Sequence, residues 1–148
     1  EIRDLVATMK LIPVKEVIAG NRIVLCEDSI VRGTQLKNYT LKKLWEAGAK
    51  EVHVRPACPP LMFPCKFALS TRSLDELAAR RAIRALEGFD REDVREYLDD
   101  RSEKYERMVD WIRRELDTTT LRYLRIDDMV KAIGLPREKL CLHCWIGE

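Results

Sequence analysis

The sequence predicts an α/β fold built on a parallel sheet, and three observations carry that prediction. An apolar run, Ile23-Val24-Leu25-Cys26, reads as a buried strand. Leu36, Leu41, Leu44 and Trp45 then recur at helical spacing up to a stop at Gly48, so Leu36 to Ala47 reads as a helix with Trp45 in the core. Val52 and Val54 alternate with His53 and Arg55, the period-two pattern of the next strand. Strand, helix and strand in that order form a βαβ unit, which implies parallel strands and a right-handed crossover. A ligand then belongs outside the carboxyl ends of the strands.

The remaining elements follow from punctuation and periodicity. Glu1 to Met9 reads as a helix or loop with Ile2, Leu5 and Val6 on one side. Met9 to Ile18 reads as extended, and Pro13 makes it an edge or irregular strand. Gly20-Asn21 is a turn. Beyond the second strand, Ala57 to Cys65 is a proline-rich loop, and Phe67-Ala68-Leu69-Ser70 reads as a further strand. Ser73-Leu74-Asp75-Glu76 has the spacing of a capping box, opening a helix through Leu74, Leu77, Ala78 and Leu86 to Gly88. Asp90 to Asp93 begins another helix, with Val94, Tyr97 and Leu98 apolar, and Met108, Val109, Ile112 and Leu116 mark a long third one. Leu121 to Leu124 reads as a short strand. Asp127 is expected to cap a last helix through Met129, Val130 and Ile133, ending at Gly134 and Pro136.

Composition narrows the class. A chain of 148 residues can bury a real core. A net charge of +2 gives no bias toward nucleic acid or an anionic membrane, and neither is expected as a partner. No stretch is apolar enough to span a bilayer and no secretory leader is visible, so a cytoplasmic protein is expected. The charged fraction, 35%, suits a heavily solvated helical surface. The five cysteines include the pair Cys141-Leu142-His143-Cys144, which in a cytosolic enzyme points to metal or redox chemistry.

The most informative stretch is Cys26-Glu27-Asp28-Ser29-Ile30-Val31-Arg32-Gly33-Thr34. A strand that ends in a polar loop at a helix N-terminus is an anion site, because the free N–H groups point outward and the dipole favours negative charge. Gly33 allows close backbone approach, and the Ser29 and Thr34 hydroxyls can donate to phosphate oxygens. The adjacent carboxylates Glu27 and Asp28 suit the vicinal hydroxyls of a ribose. The bland alternative is an ordinary crossover whose acids cap the helix.

This string resembles the phosphoribosyl-diphosphate (PRPP) signature of the type I phosphoribosyltransferases, and within them that of the glutamine PRPP amidotransferases. The pattern usually has Asp where this chain has Glu27 and Thr where it has Gln35. Pro59, Pro60, Pro64 and Cys65 resemble the Pro-Pro-x-x-x-Pro-Cys loop of cluster-bearing amidotransferases, and the tail from Leu140 to Gly147 resembles their Cys-Leu-x-Cys-x-x-Gly end. Lys131-Ala132-Ile133-Gly134 is a weaker match, and Lys10 matches a lysine ahead of the signature.

The resemblance implies a Rossmann-like parallel sheet, here incomplete, with an added helical arm. Residues 1–88 would be the C-terminal part of the phosphoribosyltransferase core, 89–118 a helical insertion, and 119–148 the last strand, helix and cysteine tail. It implies PRPP binding by Glu27, Asp28, Ser29, Val31, Arg32, Gly33, Thr34 and Gln35, with Mg2+ steadied by Glu27 and Asp28, directly or through water. Cys65, Cys141 and Cys144 would hold a 4Fe–4S cluster, with zinc as the runner-up metal. Cys58 is a weak candidate for a fourth ligand, and Cys26 is expected to be an inert buried residue. The reaction would join glutamine-derived ammonia to PRPP, giving phosphoribosylamine, pyrophosphate and glutamate for purine synthesis. The glutaminase domain, the pyrophosphate loop and most of the mobile loop are missing from the match. The chain is therefore expected to be an inactive fragment of a longer, homo-oligomeric enzyme with an exposed strand edge. The alternatives are a non-catalytic PRPP- or nucleotide-binding regulator of the same fold and a salvage transferase, whose base-recognition hood is not found.

Overall fold

The computed structural model describes residues 12–67, 69, 71 and 73–148. Three strands, β1 (Arg22–Glu27), β2 (Glu51–Pro56) and β3 (Thr120–Leu121), form one sheet in the order β1-β2-β3. Both pairings are parallel, as the βαβ pattern requires. Ile23 lies opposite Val52, Leu25 opposite Val54, and Val54 opposite Leu121, so these five residues share one face. Val52 and Val54 are 0% exposed there. The other face pairs Val24 with His53 and Cys26 with Arg55. Val24 is 64% exposed and Cys26 is exposed, which corrects the reading of both as buried. The physical reason is that β1 is the edge strand of the described sheet and only one of its faces is covered. On the open face His53 bridges Glu51 and Thr120, at 2.9 Å each, and Arg55 donates to the Thr120 hydroxyl at 3.0 Å.

Helix α1 (Lys15–Ile18) replaces the extended segment expected before β1. The expectations for Glu1 to Met9 and for Lys10 lie outside the described residues. Helix α2 covers the sheet between β1 and β2, wound as a π-helix over Leu36–Leu41 and as an α-helix over Lys42–Glu46. Leu36 and Leu41 are both buried although five positions apart, a spacing that the wider π-winding brings to one side. Trp45 packs against the core, and its indole N–H donates to the Asp117 carbonyl at 2.9 Å.

Past β2, the segment expected as a strand at residues 67–70 forms none among its described residues. Phe67 lies in a turn, and Leu69 is 86% exposed. The Cys65 N–H bonds to the Thr71 carbonyl at 3.1 Å, closing this stretch on itself. The capping box is also not made. Ser73 offers no side-chain cap to the 3-10 turn Leu74–Glu76. Leu77 is extended, and helix α3 (Ala78–Glu87) starts after it and stops at Gly88, φ +82°. Helix α4 (Arg95–Leu98) and the long α5 (Glu103–Leu116) follow. Ser102 caps α5 by accepting from the Tyr105 N–H at 3.0 Å. Helix α6 (Ile126–Ile133) is preceded by Arg125 at the N-cap, so Asp127 lies in the first turn rather than at the cap. A carboxylate there still complements the helix dipole. Helix α7 (His143–Ile146) closes the tail.

Two apolar clusters organise these elements. The main one joins Val52, Val54 and Leu121 of the sheet to Leu41 and Leu44 of α2, Ile83 of α3, and Met108, Ile112 and Leu116 of α5. Val94 and Tyr97 belong to it as well, so residues 89–118 bury their apolar side in the same core as the sheet. The second cluster contains Cys58, Leu61, Leu77, Met129 and Leu142, with Val31, Cys144 and Trp145 packed against it. It fastens the cysteine tail beside the loops that leave β1 and β2. No helix of the described residues is long and apolar enough to cross a membrane.

Candidate functional site

The loop from Asp28 to Gly33 leaves the carboxyl end of β1 beside the end of β2, where the Ala57 N–H donates to the Glu27 carbonyl at 2.8 Å. Ile30, 3% exposed, pins the middle of the loop to the core. Gly33 has φ +76°, and an added Cβ would stand 3.0 Å from Leu116 Cδ2. Both the backbone and the space therefore require glycine. The Lys37 N–H donates to the Gly33 carbonyl at 2.9 Å, the first bond of the helix. The N–H groups of Thr34, Gln35 and Leu36 thus have no intrahelical acceptor, the condition for an anion site. The Thr34 and Gln35 side chains are exposed beside them.

The two acids differ in setting. Asp28 is exposed and accepts from the Ser29 N–H at 2.6 Å. Glu27 is half-buried, and its pKa is raised by that burial first, then by a hydrogen bond and charge repulsion from Asp28. A cation, or hydroxyl donors on a ligand, would relieve both effects. Ser29 is half-buried in the same turn, and Val31 turns toward the second apolar cluster. Arg32 pairs with Glu76 at 2.6 Å. The carbonyls of Val31 and Arg32 accept from the Ala78 N–H at 2.7 Å and from Arg81 Nη1 at 3.2 Å. Glu76 and Arg81 were missed by the sequence reading. The signal available for Glu76 was its place in the capping-box spacing, which assigned it to a local role.

The structure also brings the three tail and loop cysteines into one neighbourhood. Cys144 has its thiol pKa raised by burial first, then by the charge and hydrogen bond of Cys65 and by the charge of Cys141. Its carbonyl accepts from Met62 N and Phe63 N at 2.8 and 3.0 Å, which ties α7 to the proline-rich loop. His143 lies against Phe63, ring centroids 5.9 Å apart, rather than with the sulfurs. Cys58 is buried in the second apolar cluster, against which Cys144 and Trp145 pack, and its thiol pKa is raised by that burial. Among the described residues, no group of three or more His, Cys, Asp or Glu side chains is arranged to hold a metal ion.

Parallel strands, a crossover helix and an anion loop at their carboxyl end define part of a type I phosphoribosyltransferase fold. Solved structures agree. The chain superposes with a TM-score of 0.68 and 32% identity on a glutamine PRPP amidotransferase from B. subtilis complexed with ADP and GMP, covering 99% of this chain and 28% of that one. A second structure, described as the allosteric regulatory enzyme of purine biosynthesis, gives a TM-score of 0.65 at 33% identity over 91% of this chain and 24% of that one. Among curated relatives, the amidophosphoribosyltransferase of Methanocaldococcus jannaschii is 35% identical over 146 residues, 99% of this chain and 25% of its own length. That of Mycobacterium tuberculosis is 34% identical over 147 residues, 99% of this chain and 24% of its own. No family model matches the chain. The chain belongs to the amidophosphoribosyltransferase family, and it spans about a quarter of the length of the curated relatives it matches.

Proposed function

We propose that this chain is a segment of an amidophosphoribosyltransferase and supplies the ribose 5-phosphate end of its PRPP site. The observation that carries the reading is the loop itself, three N–H groups without an intrahelical acceptor at the start of α2 beside Glu27 and Asp28. Phosphate would sit on the N–H groups of Thr34, Gln35 and Leu36, with the Ser29 and Thr34 hydroxyls in reach. Glu27 and Asp28 would accept from the ribose hydroxyls. Fixing both ends of the sugar presents its anomeric carbon to ammonia while pyrophosphate leaves. Positioning and charge stabilisation then carry the catalysis.

Two bound groups fit the donors. Glu27 and Asp28 are hard oxygen donors suited to Mg2+, which would supply charge for the departing pyrophosphate. Cys65, Cys141 and Cys144 are soft sulfur donors, with Cys144 sensing the other two, and they would hold a 4Fe–4S cluster as a structural brace for the tail. The resemblance places the fourth ligand upstream of this segment, with Cys58, buried in the cluster against which Cys144 packs, as a weaker candidate. Zinc is the runner-up metal for the same cysteines. Glutamine-derived ammonia, a glutaminase domain outside this chain and a homo-oligomer complete the reading. Among the described residues β1 is an edge strand, which supports pairing with further chain, and five free cysteines suit the reducing cytoplasm.

The test is PRPP- and glutamine-dependent formation of phosphoribosylamine by the full-length protein. Turnover is expected. Binding of PRPP without turnover would place the protein with regulators of the same fold instead. Iron and sulfide analysis after anaerobic purification tests the cysteine assignment. About four of each per chain, lost in Cys65→Ser or Cys144→Ser, is the expected result.

A further inference from the structure

The phosphate loop is held by one short stretch of chain that lies more than forty positions later in the sequence. The Ala78 N–H donates to the Val31 carbonyl at 2.7 Å. Arg81 Nη1 donates to the Arg32 carbonyl at 3.2 Å. Glu76 Oε1 lies 2.6 Å from Arg32 Nη2. Glu76, Ala78 and Arg81 belong to the 3-10 turn and the first turn of α3. That stretch is itself braced by α5. Glu115 is 3.8 Å from Arg81, and Leu116 packs under Gly33. Ser73 makes no side-chain cap to the 3-10 turn that carries Glu76. The Glu76 carboxylate serves a tertiary contact.

We propose that Glu76 is a positioning residue for phosphate binding, fixing the loop through Arg32 while Arg81 holds the same residue's carbonyl. This inference rests on the PRPP reading of the loop. The physical argument is preorganisation. Backbone N–H donors bind an oxyanion well only when they are already aimed, and a loop that must be ordered on binding loses affinity. The Glu76–Arg32 pair clamps the residue immediately before Gly33, where the chain turns into α2. It also occupies the Arg32 guanidinium, so Arg32 contributes through its backbone and its anchorage rather than as a free cation.

The sign of the effect separates this role from a simple electrostatic one. Glu76 carries a negative charge close to an anion site. Removing that charge would tighten PRPP binding if field alone mattered. A positioning role predicts the opposite.

The experiment uses the full-length enzyme. In Glu76→Gln, the KM for PRPP is expected to rise about fivefold, equivalent to roughly 1 kcal/mol for a partly solvated pair. The KM for glutamine and the melting temperature should stay at wild-type values, and Glu76→Asp should recover part of the loss. In an Arg32→Met background, Glu76→Gln should add nothing. An unchanged or lowered PRPP KM in Glu76→Gln, or an equal further loss in the Arg32→Met background, overturns the proposal while leaving the PRPP site in place. A wild-type enzyme that neither turns over nor binds PRPP overturns the underlying reading, and this proposal with it.

Discussion

Gly33 is the residue on which the loop depends most visibly. Its φ of +76° disfavours any side chain, and Leu116 Cδ2, 3.0 Å from where a Cβ would stand, would have to shift to admit one. Gly33→Ala is expected to cost about 1–2 kcal/mol of stability from the backbone alone, and to weaken PRPP binding beyond that by shifting the donors. Urea denaturation beside a PRPP titration measures both. Glu27 gives a pH-dependent prediction. Its pKa is raised, so the fold favours the neutral acid, and stability falls as pH rises through the folded-state pKa. Glu27→Gln should therefore melt higher than the wild type at pH 7 in the absence of ligand. The gain should vanish below about pH 4, where both states of the wild type are protonated. Equal melting temperatures at pH 7 would contradict the raised pKa. The same variant should bind PRPP more weakly, since an amide is a poorer partner for Mg2+ and hydroxyl donors.

At the scale of elements, the sequence placed β1, α2 and β2 within a residue or two of where they stand. Their periodicities are strong and their stops at Gly20 and Gly48 are unambiguous. The failures share a cause. The run expected as a strand at residues 67–70 has strand-like composition, but its described residues join no strand among the described residues, and composition cannot show a missing partner. Ser73 and Glu76 have the spacing of a capping box, yet Glu76 reaches Arg32, more than forty residues away. A local motif lost to a tertiary charge. Where the cap is real, its loss should be measurable. Ser102→Ala removes the side-chain cap of α5 and is expected to cost about 1 kcal/mol by chemical denaturation. The candidate site was legible as a string because its residues are contiguous. The supports behind it, Glu76, Arg81 and Leu116, were not, because they come from other elements.

For the whole molecule, the question is how residues 89–118 relate to the sheet. Met108, 0% exposed, lies in the same cluster as Val52 and Val54. Met108→Ala should cost about 2–5 kcal/mol and lower the melting of the sheet itself in one cooperative transition. A separate early transition that spares the sheet would mean that these helices fold apart from it. The second cluster predicts a different outcome at the tail. Leu142, 2% exposed, holds α7 against the loops that follow β1 and β2. Leu142→Ala should loosen the grouping of Cys65, Cys141 and Cys144, seen as faster alkylation of Cys144 in the metal-free protein.

The sequence by itself determined the α/β class, the parallel βαβ unit, the glycine turn into α2 and the adjacent carboxylates at the end of β1. Each is written in contiguous residues, through side-chain period, glycine position and charge. Only the tertiary structure decided which face of β1 is covered, that Cys58 is buried in a second apolar cluster with the tail, and that α3 and α5 support the loop after β1. Those outcomes depend on contacts between residues far apart in the chain, and burial or pairing at that distance leaves no periodic trace in the sequence.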